Sequence, residues 1–153
     1  MNCGPYCIMA LEAMHDRFLP IKEARKLCRT TTGGSYASDM VSALHTLGYK
    51  HARISENLTW RKLTNLTRKN HVLVAWWTPF EHGQVVDPSR WDGHWCIVRR
   101  ITTKTITLID PDADTDTVLT RDQFDILWHD YEIFENGYKR AFHHAAVVAR
   151  KWP

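Results

Sequence analysis

The sequence predicts an α+β fold, in which a helical N-terminal half packs on an antiparallel β-sheet from the C-terminal half. Apolar residues recur at helical spacing in the first part of the chain, whereas the second part carries compact apolar runs rich in Val, Ile and Thr. Helices followed by strands, instead of alternating with them, are typical of this class. The length of 153 residues fits one domain, residues 1–153, with a single core.

Four helices are predicted in the first half of the chain. The first spans residues 3–18 and the second begins at Pro20. The third runs from Ser38 to Gly48, and the fourth begins at Thr59. Pro is favoured at the start of a helix, Ser and Thr cap helix N-termini, and Gly ends helices in the left-handed conformation. The spacing in the first helix predicts an inward face formed by Cys7, Leu11, Met14 and Phe18.

Strands and one further helix are predicted in the second half. The loop between the first two strands, residues 78–93, is the longest irregular stretch, and a loop of that length in a compact domain commonly carries function. The strands are predicted at residues 71–77, 94–101, 105–109, 117–119 and 145–149, and the helix at residues 120–131.

The composition is typical of a soluble globular protein. Apolar residues make up 44% of the chain and charged residues 24%, and seven Trp are many for this length. The net charge of +3 is too small to indicate a nucleic-acid-binding protein. No apolar run approaches the roughly 20 residues that span a bilayer, so we expect no membrane span in this chain.

The four cysteines, Cys3, Cys7, Cys28 and Cys96, are irregularly spaced. This spacing, together with the lack of a recognisable secretion signal, predicts reduced thiols and a cytoplasmic location instead of a disulfide framework. Cys7, Cys28 and Cys96 are predicted to be small core residues. Cys3 and Cys7 have no second pair at the spacing of a zinc finger, so neither a metal nor another cofactor is expected.

Cys3 is the candidate nucleophile because the segment Asn2-Cys3-Gly4-Pro5 opens directly into the first predicted helix. A cysteine at a helix N-terminus lies at the positive end of the helix dipole, which favours the thiolate form. Backbone N–H groups at the same place can bind a developing oxyanion. Gly4 has no side chain, so a substrate backbone can approach closely there.

His94 and Asp110 are the candidate partners of that nucleophile. His94 begins an apolar strand directly after the long loop, where a side chain is rigidly held and still accessible. Asp110 ends the next strand, so a hairpin of the two strands places both residues at the same end. His82, inside the long loop, is a rival base. A cysteine nucleophile needs a general base, here His94, and the base needs an orienting group, here Asp110.

These motifs resemble the bacteriocin-processing, double-glycine-leader peptidases of the papain-like superfamily and their stand-alone relatives. The resemblance rests on Cys-Gly-Pro-x-Cys at a helix start, on Gly93-His94-Trp95 at a strand start and on Asp110-Pro111 at a strand end. It implies a papain-like fold and a cysteine hydrolase acting on peptides. It also implies that Cys3 is the nucleophile, His94 the general base and acid, and Asp110 the orienting residue. The relatives cleave after small residues such as Gly-Gly.

One departure from the family pattern keeps two alternatives open. The family has a Gln about half a dozen residues before the nucleophile that completes the oxyanion hole, whereas only Met1 and Asn2 precede Cys3 here. The first alternative is therefore a catalytically inactive peptide-binding module with the same fold. The second is an acyl- or amidotransferase that uses the same trio, because the acyl-enzyme step is shared with hydrolysis.

The substrate-binding residues are predicted beside the trio. Trp91, Gly93 and Trp95 flank His94 in the sequence, and together with Gly4 they are expected to line the substrate cleft. The acidic stretch 110–116 alternates like a calcium loop, but it lacks the Gly at the sixth position and the Glu at the twelfth. It is therefore predicted to be a solvated turn.

Overall fold

The computed structural model describes residues 2–78, 80–81, 84–85, 92–111, 113–133 and 136–150. Within these residues the chain forms a six-stranded antiparallel sheet and two separate two-stranded sheets. The helices are α1 (Cys3–Ala13), α2 (Ile21–Leu27), α3 (Ala37–Thr46), α4 (Trp60–Thr67) and α5 (Arg121–Leu127). No helix of the described part is long and apolar enough to cross a membrane.

The strands follow one another mainly in the second half of the chain. They are β1 (Arg53–Ser55), β2 (Asn70–Thr78), β3 (Phe80–Glu81), β4 (Gln84–Val85), β5 (Asp92–Ile101), β6 (Thr105–Ile109), β7 (Thr117–Thr120), β8 (His129–Ile133), β9 (Lys139–His143) and β10 (Ala146–Arg150). The order in the large sheet is β1-β10-β2-β5-β6-β7, while β3 pairs with β4 and β8 with β9. The predicted α+β class, with helices first and an antiparallel sheet after them, is confirmed.

The large sheet is covered on both faces, which explains its compact apolar runs. One face of β2, including Leu73 and Ala75, packs in a core with α1, α2 and α3. The alternate residues, including Val74 and Trp76, pack in a second core with α4 and α5. Since successive side chains of a strand point to opposite faces, a strand covered on both faces is apolar throughout.

Several helix signals act as predicted. Thr59 caps α4 by accepting a hydrogen bond from Lys62 N at 3.3 Å, and Gly48 adopts a φ of 97° after α3. Pro20 lies directly before α2. The prediction for the first helix was wrong at its C-terminal end, because α1 ends at Ala13 and leaves Met14 and Phe18 exposed.

The prediction of a helix over residues 120–131 was only partly right. A capping box between Thr120 and Gln123 starts α5, but the helix ends at Leu127 and β8 begins at His129. The turn after β8 contains Asn136-Gly137, in which Gly137 has a φ of 80° and Asn136 Oδ1 accepts a hydrogen bond from Tyr138 N. Asn-Gly is a strong hairpin signal, so the sequence did carry a sign of β8 and β9.

Candidate active site

Cys3 is the first residue of α1 and is almost completely buried, with 1% of its surface exposed. The first intrahelical hydrogen bond of α1 runs from Tyr6 N to Asn2 O, at 2.9 Å. The N–H groups of Cys3 and Gly4 therefore precede the hydrogen-bonded ladder of the helix, and Pro5 has no N–H to satisfy. This geometry leaves the positive end of α1 at the thiol.

Gly4 packs closely against α3 and the turn before it. A methyl group on Gly4 would lie 2.9 Å from Ser35 Cβ, which is closer than real Cβ contacts allow, and 3.0 Å from Met40 Sδ, which is a tight contact. Ser35 is itself held by a hydrogen bond of 2.7 Å between its hydroxyl and that of Thr30. The absence of a side chain at residue 4 therefore brings the start of α1 onto this turn. Contact of Gly4 with a substrate stays a prediction.

His94 and Asp110 meet through the β5–β6 pairing. The two strands pair antiparallel with Ile97 opposite Ile109, so the start of β5 and the residue after β6 lie at the same end of the sheet. His94 Nε2 and Asp110 Oδ1 are 2.7 Å apart, and both side chains are 14% exposed. The carboxylate accepts a hydrogen bond from Nε2–H, which leaves Nδ1 as the second nitrogen of the ring.

The surroundings of His94 favour its protonated form. Burial, the largest single influence, lowers the pKa of the imidazole, but hydrogen bonds with Asp110, Cys3 and Cys96 together raise the pKa from 6.5 to about 12. A positive charge therefore stands between the carboxylate of Asp110 and the thiol of Cys3. Such a neighbour stabilises a thiolate by direct electrostatic attraction.

Cys96 is a second thiol beside His94, two residues along β5. Potential ligand atoms of His94, Cys96 and Asp110 all lie within 4.8 Å of one another, a donor set that zinc accepts. However, burial raises the pKa of Cys96, which keeps this sulfur a thiol, and Trp76 Nε1 donates to it at 3.3 Å. The direct hydrogen bond between His94 and Asp110 already satisfies those two ligands. These contacts fit an imidazole–carboxylate pair better than a metal centre.

An open cleft of about 170 Å³ adjoins Cys3. Gly93 and Trp95, two of the predicted binding residues, lie in its wall. Trp95 is fixed there by a hydrogen bond of 2.8 Å from its Nε1 to Ser35 O. Trp91, the third predicted wall residue, and the rival base His82 lie outside the described residues. The remaining lining residues are Gly33, Gly34, Ser35, Tyr36, Asp130, Tyr131 and Ile133.

Sequence reasoning missed one wall of this cleft, which belongs to the β8–β9 hairpin. Asp130, Tyr131 and Ile133 reach the cleft from β8. The buried carboxylate of Glu132 accepts a hydrogen bond of 2.8 Å from Ser38 N in the first turn of α3, which ties the hairpin to the helical half. The Asn136-Gly137 dipeptide was the available signal for this hairpin.

The cysteines and the tryptophan that were predicted to lie in the core are buried in the structure. Cys7, Cys28 and Cys96 are fully buried, and the four cysteines are free thiols. Trp76 is buried while Trp77 is 37% exposed, as strand alternation requires. Within the acidic stretch 110–116, Asp112 lies outside the described residues.

Comparisons with known proteins identify the family and the fold of the chain. The sequence profile of the peptidase C39 family matches residues 1–137. The peptidase domain of Streptococcus ComA, a bifunctional ABC transporter of a quorum sensing pathway, is similar in structure, with a TM-score of 0.63 and 17% identity over 98% of this chain and 92% of that chain. A double glycine motif protease from an AMS/PCAT transporter, in complex with the leader peptide, is also similar in structure. Its TM-score is 0.61 and its sequence identity 16%, over 98% of this chain and 85% of that chain. A search of curated protein sequences gives no match. The structural likeness confirms the predicted papain-like fold.

Proposed function

Because the chain belongs to the peptidase C39 family, we propose that it is a cysteine peptidase whose catalytic residues are Cys3, His94 and Asp110. The observation that carries the proposal is the position of the His94 ring, whose Nε2 lies 2.7 Å from Asp110 Oδ1 and whose pKa is raised in part by the side chain of Cys3. Covalent peptide hydrolysis requires a nucleophile, a proton carrier beside it and a carboxylate that orients the proton carrier.

The chemistry follows from the charges at the site. The Cys3 thiolate attacks the carbonyl carbon of the scissile peptide bond, and the carbonyl electrons move to oxygen. His94, present as an imidazolium, then gives its proton to the leaving amine as the C–N bond breaks. The neutral imidazole next removes a proton from water, whose oxygen attacks the thioester carbonyl; the C–S bond then breaks, which releases the acid and restores the Cys3 thiolate and the His94 imidazolium. Asp110 holds the ring orientation and stabilises its positive charge throughout.

The start of α1 supports the oxyanion of this reaction. The N–H groups of Cys3 and Gly4 are not used by the helix ladder, and the helix dipole adds positive potential at the same place. In a well-studied protease, removing one oxyanion donor costs about 2.7–4 kcal/mol in transition-state stabilisation. The backbone donors at Cys3 therefore supply a substantial share of catalysis in this proposal.

The proposed substrate is a peptide with small residues before the scissile bond. Three glycines, Gly33, Gly34 and Gly93, lie in the cleft wall beside Cys3, so a substrate backbone can come close without meeting protein side chains. A bulky side chain on the substrate residue directly before the scissile bond would meet Trp95 and Tyr36 in the same wall. A leader segment ending in Gly-Gly, the type of motif named for the AMS/PCAT neighbour, fits this glycine-lined cleft.

The test combines thiol labelling with peptide cleavage. With trace iodoacetamide near neutral pH, we expect Cys3 to be alkylated first, because it lies in the wall of the open cleft at the start of α1, whereas Cys7, Cys28 and Cys96 are buried core thiols that serve as internal controls. His94→Gln is expected to slow this labelling, whereas the exposed His51→Gln should leave it unchanged. Equal labelling rates in wild type and His94→Gln would count against an activated thiol.

Cleavage itself is measured with a peptide library carrying Gly-Gly at its centre. We expect products in wild type and none in Cys3→Ala, with one ¹⁸O atom from labelled water in the new carboxyl group. Transfer of the acyl group to an added amine, without ¹⁸O uptake, would identify a transferase. Binding of the peptides without any product would identify a peptide-binding module and overturn the peptidase proposal.

A further inference from the structure

A cluster of imidazoles lies on the β8–β9 hairpin and includes neither Cys3 nor His94. His129 and His143 are directly opposite each other in the register of the two strands, and their Nδ1 atoms are 3.1 Å apart. His143 is exposed and His129 half-buried, so ions from solvent can reach the pair. A hydrogen bond between two ring nitrogens requires one Nδ1 without a proton, and the donating ring can coordinate through its Nδ1 once its proton resides on Nε2.

We propose that His129 and His143 chelate a divalent transition-metal ion of the zinc or nickel type. Zinc–nitrogen bonds are 2.0–2.1 Å long, so two nitrogens on a tetrahedral ion are about 3.3 Å apart. The observed separation of 3.1 Å needs only a small adjustment to reach this value. Imidazole nitrogens suit zinc, copper and nickel, whereas magnesium and calcium prefer oxygen ligands.

The neighbours of the pair are suited to a positive ion. His144 packs against Trp128, with ring centroids 4.8 Å apart, and its Nε2 lies 3.5 Å from the carboxylate of Asp125. The ring of His144 is 5.6 Å from that of His129. The Asp125 carboxylate therefore adds negative charge at the edge of the cluster, and water would complete the coordination of the ion.

Metal binding would stiffen a wall of the cleft. The β8–β9 sheet has two strands, and two-stranded hairpins are only marginally stable. Asp130, the residue after His129, lies in the cleft wall and comes within 3.0 Å of the position that a Cβ on Gly93 would take. An ion held between β8 and β9 would fix their register and with it the position of this wall.

The test is zinc binding by tag-free protein carrying Cys3→Ala, measured by calorimetry. This background removes the proposed nucleophile as a competing ligand, so the result does not depend on peptidase activity. We expect one ion per chain, lost in His143→Gln and kept in His51→Gln, a matched variant at another exposed histidine. Undiminished zinc binding in His143→Gln, or no binding with zinc in large excess, would overturn the proposal.

A rival histidine pair supplies a further control. His15 and His71 approach through their Nε2 atoms at 2.9 Å, but both are half-buried. We expect His71→Gln to keep zinc binding; loss of binding in this variant alone would place the site there and overturn the proposal. Hydrogen exchange gives a second measure of zinc binding at the hairpin. In the Cys3→Ala protein that keeps His143, zinc should slow the exchange of the amides in β8 and β9. Unchanged exchange there would contradict a clamp on the hairpin.

Discussion

The Nε2 atom of His94 lies 2.7 Å from Oδ1 of Asp110, although sixteen positions separate the two residues in the chain. The antiparallel pairing of β5 with β6 brings them together, and the hydrogen bond leaves the other ring nitrogen for Cys3. This relationship determines both the orientation of the imidazole and its charge.

Replacing Asp110 with Asn is therefore expected to lower kcat strongly while the protein stays folded. The amide preserves the shape but has no negative charge to stabilise the imidazolium, and its NH2 group can donate to Nε2 and so hold the ring in the other tautomer. The corresponding change in a serine protease triad lowers kcat about 10⁴-fold, so we expect a loss of about 10²–10⁴ here. The matched control is Asp116→Asn, which affects a half-exposed ion pair with Arg99. Similar rates in both variants would show that Asp110 does not orient the base.

The pKa of His94 predicts how stability changes with pH. It is raised by hydrogen bonds, against the effect of burial, from 6.5 to about 12 in the folded protein. The resulting stabilisation is fully present below pH 6.5 and is lost as pH rises from there towards the folded value, since only the folded state then keeps the proton. Wild type should thus lose stability relative to His94→Gln between about pH 7 and about pH 9 in urea unfolding. A difference that stays constant over this interval would contradict the raised pKa.

The pairing of His94 with Asp110 was predictable because it depends on one local hairpin. Two apolar runs joined by a short turn fix which ends meet, and the same local logic predicted the Thr59 cap and the left-handed Gly48. The cleft wall was not predictable in the same way. Asp130 lies on β8, whose first residues fall inside the helix predicted over residues 120–131.

The role of Gly4 also depends on tertiary structure. Its position at a helix start suggested an approach by substrate, whereas the structure places Ser35 and Met40 against it. Neither neighbour can be deduced from the sequence around residue 4, since they belong to the turn before α3 and to α3 itself. Long-range packing of this kind is the part of the site that sequence patterns leave open.

Gly4→Ala is expected to destabilise the protein by about 1–3 kcal/mol, the usual cost of overpacking a tight contact. The new methyl group would lie 2.9 Å from Ser35 Cβ, so the start of α1 would have to move away from the turn. The control is Gly33→Ala, where the methyl group would find an ordinary contact of 3.6 Å with Thr31 Oγ1. Urea unfolding measures both, and an equal loss in the two variants would contradict the packing argument.

Glu132 ties the β8–β9 hairpin to α3, because its buried carboxylate accepts a hydrogen bond from Ser38 N at the positive end of that helix. Glu132→Ala leaves this N–H without its acceptor, which is expected to cost about 1–3 kcal/mol of unfolding free energy. Glu56→Ala removes a partly exposed ion pair with Arg140 on the same hairpin and should cost at most about 1 kcal/mol.

The same comparison separates stability from the shape of the cleft. Loss of the Glu132 contact frees the strand that carries Asp130 and Tyr131 in the cleft wall, so kcat/KM for a cleaved peptide should fall in Glu132→Ala and stay near wild type in Glu56→Ala. Both values are measured well below the unfolding transition, so that the folded fraction is the same. A normal kcat/KM in a destabilised Glu132→Ala protein would show that the contact supports the fold but does not position the wall of the cleft.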